Sequence, residues 1–387
     1  MKILFVSLFL PQQKAYHAGG RYVYEILKKL SARHEIYLAT RCEESESPYI
    51  DSLKPFCKKI YPYKYSTTVR RGILATARLV LNYIGFSLYA DKIVRKGQFD
   101  IIQVEWVETA LMIRKRDTPM ILDAHDVITK PAERLMNVSK GIWQVFYYLR
   151  YLLIKGLELS IMKKFNTIFT LSEYDRVYLQ SMVPDINITT VPPPAGLDIT
   201  DMTYEKEKSS ILFLASYKYR KVNVDAALYF YRSVFPLIRE RIPDAKFIIA
   251  GYGPPTVLTA LQANDPNVLV PGFVEDTDEY YKKATVFVAP IMIGGGIIIK
   301  ILDAMSAGTP VVTTSYGNEG IGAEPGKDLL IADDPESMAS AVISILTDGA
   351  LSDRLAGNSL EFVQKHYSPE ATIEKIESAY KEILAYK

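Results

Sequence analysis

The sequence predicts an α/β protein made of two doubly wound parallel-sheet units, one after the other. Three observations carry this. Short apolar runs alternate with helical stretches from end to end. At 387 residues the chain is longer than one core usually fills, so two units of roughly 190 residues are expected. Near the middle, Pro192-Pro193-Pro194-Ala195-Gly196 breaks the alternation with residues that central strands and helix interiors reject. The linker is placed at about 192–208. The division is 1–195, then 196–365, with a final helical segment, 366–387, packing back on the N-terminal unit.

In chain order, Lys2 to Leu10 reads as a first buried strand rather than a signal peptide, because the apolar run is short and no small-residue cleavage site follows. Gly19-Gly20 open a helix over Arg21 to Ala32. Glu35 to Thr40 is a second strand. Asp100 to Trp106 and Met120 to Leu122 are buried strands whose ends carry Glu105-Trp106 and Asp123-Ala124-His125-Asp126. Binding groups gather at the carboxyl ends of strands in such sheets. His125, flanked by two aspartates, is therefore a functional candidate, with Glu105, Trp106 and Asp126 beside it. Gly141 to Phe165 reads as one long packed helix, and Ser172-x-x-Asp175 as a helix start.

The C-terminal half repeats the alternation. Ile211 to Ala215 is a strand, Val224 to Arg241 a helix, and Lys246 to Ala250 a strand ending in Gly251-Tyr252-Gly253. Val286 to Ile291 is an apolar strand followed at once by Gly294-Gly295-Gly296 and a helix over Ile297 to Ser306. Glycines let backbone amides approach a ligand closely, and a helix start aims free N–H groups at it. Lys300 and Asp303 share one face of that helix. The stretch suits a phosphate-bearing ligand with a hydroxyl-rich part beside it. The plain alternative is a tight turn with a solvated ion pair.

Composition narrows the function. Apolar residues are 49% and charged residues 23%, ordinary for a globular protein. The net charge of +2 gives no reason to expect nucleic acid. Cys42 and Cys57 form neither a disulfide framework nor a metal pattern, which fits a reducing cytoplasm. No stretch reaches about 18 uninterrupted apolar residues, so no membrane-spanning helix is expected. Residues 52–98 are locally basic and tyrosine-rich, which suits an anionic membrane surface or a lipid-phosphate acceptor; a solvated helix face is the plainer reading.

Taken together, the motifs resemble a retaining glycosyltransferase of family 4. They are Gly19-Gly20, Asp123-Ala124-His125-Asp126, Leu171-Ser172-Glu173, Val191-Pro192 through Asp198, Phe213-Leu214-Ala215 to Asn223, Ala250-Gly251-Tyr252-Gly253-Pro254, Gly272-Phe273-Val274-Glu275-Asp276 and GGGIIIKILDAMSAGTPVV. The resemblance covers essentially the whole length. It implies a GT-B architecture, two Rossmann-like units facing a cleft. It also implies a nucleotide-diphosphate sugar, UDP- or GDP-linked, held mainly by the C-terminal unit, and a glycan or lipid-linked acceptor held by the N-terminal unit. No metal or other cofactor is expected. The place is cytoplasmic, peripheral at the inner face of the cell membrane.

The same resemblance assigns roles. Asp303 stands where the family has the second glutamate of its E-x7-E motif and would hold the donor ribose. Lys300, with Arg220 or Lys221, would meet the diphosphate. Gly19 and Gly20 would touch it too, with Gly251, Gly253, Gly294, Gly295, Gly296 and Ile297 around the donor and the base near Phe273 and Val274. His125 would approach the transferred sugar. Two departures stand out: Gly295 replaces the first motif glutamate, and Ile298 stands where a glycine-rich variant of the family often has arginine. A catalytically silent sugar-nucleotide-binding subunit and a nucleotide-sugar epimerase are the alternatives. An NAD oxidoreductase fits least, since Gly251-x-Gly253 lacks the third glycine and the distal acid.

Overall fold

The structure, a computed structural model, describes residues 1–13, 18–66, 73–194, 205–218, 220–292 and 296–385. Contacts divide the chain into two compact units, Met1–Pro194 with Thr372–Lys387, and Ala195–Ala371.

The N-terminal unit holds a seven-stranded sheet. Its strands are β1 (Lys2–Ser7), β2 (Glu35–Glu43), β3 (Lys59–Tyr65), β4 (Ile101–Glu105), β5 (Met120–Asp123), β6 (Thr167–Thr170) and β7 (Asn187–Thr190). They lie in the order β3-β2-β1-β4-β5-β6-β7, all parallel. Covering on both faces explains why β1, after Lys2, and β4, β5 and β6 are buried at every position rather than at alternate ones. The winding reverses between β1 and β4. In such a sheet that reversal opens a crevice beyond the strand carboxyl ends.

Helix Ala18–Leu30 lays Tyr22, Val23, Ile26, Leu27 and Leu30 on the core at helical spacing. It starts before the expected Arg21, so Gly19 and Gly20 lie inside its first turn. Residues 59–65 form an edge strand where sequence alone suggested only a basic, aromatic stretch. The final helix, Pro369–Ala385, belongs to this unit. The Thr372 hydroxyl donates to the Pro192 carbonyl at 2.9 Å, Glu377 accepts from Arg33 at 2.7 Å, and the Tyr380 hydroxyl donates to Gln103.

Helices Thr129–Val138 and Ile142–Met162 form a hairpin. Its base is tied down: Glu158 is fully buried and accepts from the amides of Ile128 and Thr129 at 2.9 and 3.1 Å, capping the first helix. The expectation of a packed helix over 141–165 fails at the other end. Ile161 and Met162 are buried, but Ile142 is 81% exposed and Trp143 62%.

The C-terminal unit has six parallel strands: β8 (Ser210–Leu214), β9 (Lys246–Ala250), β10 (Val268–Gly272), β11 (Val286–Ala289), β12 (Val311–Thr313) and β13 (Leu330–Ile331). Their order is β10-β9-β8-β11-β12-β13. The reversal here falls between β8 and β11. The helix expected over 224–241 is instead Lys221–Tyr229, a π-helical turn Phe230–Val234, and Phe235–Arg239. Pro236 explains the break, since its ring has no N–H and clashes with the preceding turn.

Candidate functional site

In each unit the candidate residues collect beyond the strand ends at the reversal of the sheet. The two clusters are built differently.

In the C-terminal unit, β8 leads through Ala215 to Arg220 and the helix Lys221–Tyr229, while β11 leads to Gly296 and the helix Ile299–Ser306. Lys300, in the first turn of that helix, donates to Asn223 Oδ1 at 3.0 Å, and its ammonium lies 5.2 Å from the Phe213 ring centre. Asn223 is itself held by donating to the Ser216 carbonyl at 2.7 Å. Burial of the amine, and secondarily the Arg220 charge, lower the Lys300 pKa to about 8. Two cations held this close, with no carboxylate between them in the interactions described, make a site for an anion. Arg220 is exposed, and it rather than Lys221 is the charge that acts on Lys300. Asp303 follows one turn after Lys300 and is half-buried.

The turn before this helix is shaped by backbone packing. Gly296 has φ +75°, and a Cβ on Gly320 would run into the Gly296 carbonyl, so the segment 315–322 backs the turn. Gly294 and Gly295 lie outside the described residues. Ile297 and Ile298 pack against the core, which accounts for an apolar residue at 298. Gly251 has φ +132° with the Ala215 carbonyl where a Cβ would be. Gly253 has φ +67°, with Lys218 Cβ 2.7 Å from that position. Both glycines let β9 and β8 emerge side by side. Phe273 is 67% exposed and meets Tyr252 edge-on at 6.1 Å, leaving an aromatic ledge beside them. Val274 is half-buried next to it.

In the N-terminal unit the cluster is buried. His125 Nε2 lies 2.7 Å from Glu105 Oε2. Gln103 donates to Glu105 Oε1 at 2.7 Å, and Tyr22 donates to Asp123 Oδ2 at 2.5 Å. Trp106 stacks on His125, ring centres 3.9 Å apart, and Phe9 meets Trp106 edge-on. Burial raises Glu105 to about 8 and Asp123 to about 7, and lowers His125. Trp106 (φ +68°) and His125 (φ +43°) both adopt left-handed backbone, a strain of about 1–3 kcal/mol each that concentrates at working sites. Asp126 is exposed at the rim. Glu105, Asp123 and His125 have ligand atoms within 4.8 Å of one another, so they are the set that could hold an ion among the described residues. Their oxygens are already engaged by Tyr22, Gln103 and His125.

Gly19 is explained by this cluster. A Cβ there would lie 2.5 Å from the Trp106 indole. Gly19→Ala is expected to push the indole off His125 and cost about 1–3 kcal/mol in stability by denaturant unfolding, with a shifted tryptophan emission. Gly20 is buried and its carbonyl accepts from Gln12 at 3.4 Å. Sequence reasoning did not single out Tyr22, Gln103, Gly320 or Tyr380, and named Asn223 only as the end of a motif, with no role. Tyr22 had a signal, one turn after Gly19 on a core-facing stripe. Tyr380 had none, since it meets Gln103 across most of the chain.

Two wound parallel sheets, each with candidate groups at its reversal, define the GT-B class of glycosyltransferases. Family comparison agrees: the description "Glycosyltransferase Family 4" matches residues 19–198 and "Glycosyl transferases group 1" matches residues 208–348. Together these span most of the chain, and the protein belongs to the family 4 glycosyltransferases. It is 24% identical to an uncharacterized 44.6 kDa protein in the cps region of Klebsiella pneumoniae, covering 97% of this chain and 98% of that one. It is also 24% identical to the phosphatidyl-myo-inositol mannosyltransferase of Mycolicibacterium smegmatis, over 79% and 74% of the two chains. HepE from Anabaena, solved in complex with UDP, has the same fold at TM-score 0.68 and 10% identity, covering 99% of this chain and all of that one.

Proposed function

We propose that the protein transfers a sugar, with retention of anomeric configuration, from a nucleoside-diphosphate sugar to a hydroxyl of a glycan or lipid-linked acceptor in cell-surface polysaccharide assembly. The observation that carries this is the Lys300–Asn223 bond beside Arg220, at the reversal of the C-terminal sheet. The UDP complex of HepE supports a nucleoside diphosphate there. The cps-region relative supports a capsule-type product, and the mannosyltransferase relative supports a lipid-linked acceptor. Exposed Lys54, Lys58, Lys59, Lys64, Arg78, Lys92, Arg95 and Lys96 are the part of the basic segment 52–98 offered to an anionic surface.

The chemistry follows from the charges. As the bond from the anomeric carbon to the β-phosphate oxygen breaks, negative charge grows on that oxygen. Lys300, Arg220 and the amide of Gly296 meet it, so the reaction runs without a divalent ion. The acceptor hydroxyl attacks the same face that the diphosphate leaves. Its proton passes to the leaving oxygen, giving glycoside and nucleoside diphosphate. Asp303 accepts from the ribose hydroxyls, and Phe273 and Tyr252 offer the base an edge to lie against. His125, fixed by Glu105 and Trp106, orients the sugar.

Incubation with UDP-, GDP- and dTDP-sugars and an acceptor glycan, followed by NMR of the product, tests this. The product linkage should share the donor's anomeric configuration; inversion would exclude the mechanism. Asp303→Ala is expected to raise the donor KM about 10- to 100-fold, from loss of a charge-assisted contact. The silent-subunit reading has two supports, Gly295 in place of the first motif glutamate and the apolar Ile298. It would be favoured by nucleotide binding without turnover of any donor.

A further inference from the structure

The tip of the hairpin formed by Thr129–Val138 and Ile142–Met162 is an exposed apolar feature that neither sheet reversal uses. Val138 is 74% exposed, and Ile142, Trp143, Val145, Phe146, Leu149 and Leu153 are exposed with it. We propose that this tip inserts into an anionic lipid bilayer and anchors the N-terminal unit there. The reading goes beyond the transferase activity and does not depend on it.

Three observations decide the occupant. First, Ile142 through Phe146 are five consecutive exposed residues. At 3.6 residues per turn they cover every side of the helix. A protein partner laid against a helix covers one side, whereas immersion covers all of them. Second, from Leu135 to Leu157 the sequence has Lys140, Arg150 and Lys155 and no acidic residue. Glu158, the acid that follows, is buried at the hairpin base. A second copy placed symmetrically on this face would bring those cations together, which costs affinity, while an anionic headgroup layer attracts each of them. Third, the aromatic residues match the water–lipid boundary. Trp143 packs with Phe146 and Tyr147, ring centres 6.1 and 6.4 Å apart, and Tyr148 is exposed beside them.

The depth is limited. Among the described residues no helix is long and apolar enough to cross a membrane. The hairpin therefore enters one leaflet, its aliphatic tip lowest, as interfacial helices do. Glu158 and its bonds to the amides of Ile128 and Thr129 keep the hairpin rigid at its root.

Trp143 supplies the probe. The chain has two tryptophans, and Trp106 is buried. The full-length protein is mixed with vesicles of phosphatidylcholine alone or with about one-third phosphatidylglycerol, without donor or acceptor. Sedimentation with the anionic vesicles should be roughly 10- to 100-fold tighter than with the neutral ones, as three cations predict. Trp143 emission should shift to the blue and be quenched by brominated lipid chains. Trp143→Phe should lose the shift yet still bind, and Ile142→Glu with Leu153→Glu should lose binding. Both substituted positions are exposed, so the double variant should keep the wild-type melting curve and its turnover of a soluble acceptor. The proposal is overturned if wild type binds neither vesicle, if the double variant binds as well as wild type, or if sedimentation equilibrium shows a lipid-free dimer that the double variant abolishes. Turnover without vesicle binding would sink the anchor and leave the transferase reading standing.

Discussion

Replacing Lys300 with methionine is expected to lower turnover by about 10²–10³, the effect of removing one preorganised donor from a developing oxyanion. The methionine side chain has similar length, so the packing against Phe213 is kept and the loss is that of the charge. The same site predicts a pH dependence. Burial and Arg220 hold the free Lys300 amine near pKa 8, so it is charged below that pH and neutral above it. A bound diphosphate favours the charged form and raises the pKa. Donor affinity should therefore fall as pH rises from about 7 to 9, and the fall should lie in KM more than in kcat. Lys300→Arg keeps its charge across the range, so its donor KM should not rise over that interval, whatever its absolute rate. Steady-state kinetics of both variants at several pH values measure this. Wild-type turnover in the methionine variant would remove Lys300 from the site.

Much of the fold was readable because parallel strands buried on both faces leave continuous apolar runs, as at Lys2–Ser7 and Val286–Ala289. Helix starts were readable where a side chain caps the backbone. Ser172 accepts from the Asp175 amide at 3.1 Å, as its spacing implied. What escaped notice was non-local. β3 is an edge strand with half-buried tyrosines, so its pattern looked like a decorated loop. Gly320 matters only because Gly296 lies against it. The hairpin misled for a physical reason: an apolar helix reads as buried when water is the only solvent considered, and its sequence cannot state whether protein or lipid covers it.

The candidate site was readable in one unit and partly hidden in the other. Lys300 and Asp303 lie on one short helix, so spacing alone put them together. The N-terminal cluster needed the sheet, because β4 delivers Glu105 and Trp106 while β5 delivers His125 from a separate segment, and Gln103 reaches Glu105 only by sharing its strand face. By the resemblance, His125 would approach the transferred sugar. It is 6% exposed, under the Trp106 ring, so its part in the reaction is set by what fixes it.

Glu105→Gln tests that fixing, through pH as much as through rate. A glutamate in an unfolded chain ionises near 4.3, whereas burial holds Glu105 to about 8. Between those values the unfolded chain has given up a proton that the folded chain keeps. The contribution of Glu105 to stability is thus fully present below about pH 4 and is lost as pH rises towards 8, at up to about 1.4 kcal/mol per pH unit. Asp123, raised to about 7 by burial, acts in the same direction. His125 acts in the opposite one, since a lowered imidazole pKa costs stability as pH falls. Glutamine has no proton to lose, can still accept from Gln103, and can donate to His125 Nε2. The melting temperature of wild type should drop between pH 5 and 8 more steeply than that of Glu105→Gln. The difference should be largest at pH 8. If instead the pair were a glutamate–imidazolium ion pair, the variant would be less stable at every pH and the slopes would run parallel or cross the other way. Turnover separates orientation from mere packing. Glu105→Gln should stay within about tenfold of wild type, while Glu105→Ala, which frees the ring to turn, should lose about 10²-fold, the scale of a 1 Å misplacement. Equal rates in the two variants would mean that Glu105 supports the fold of the N-terminal sheet and does not position His125.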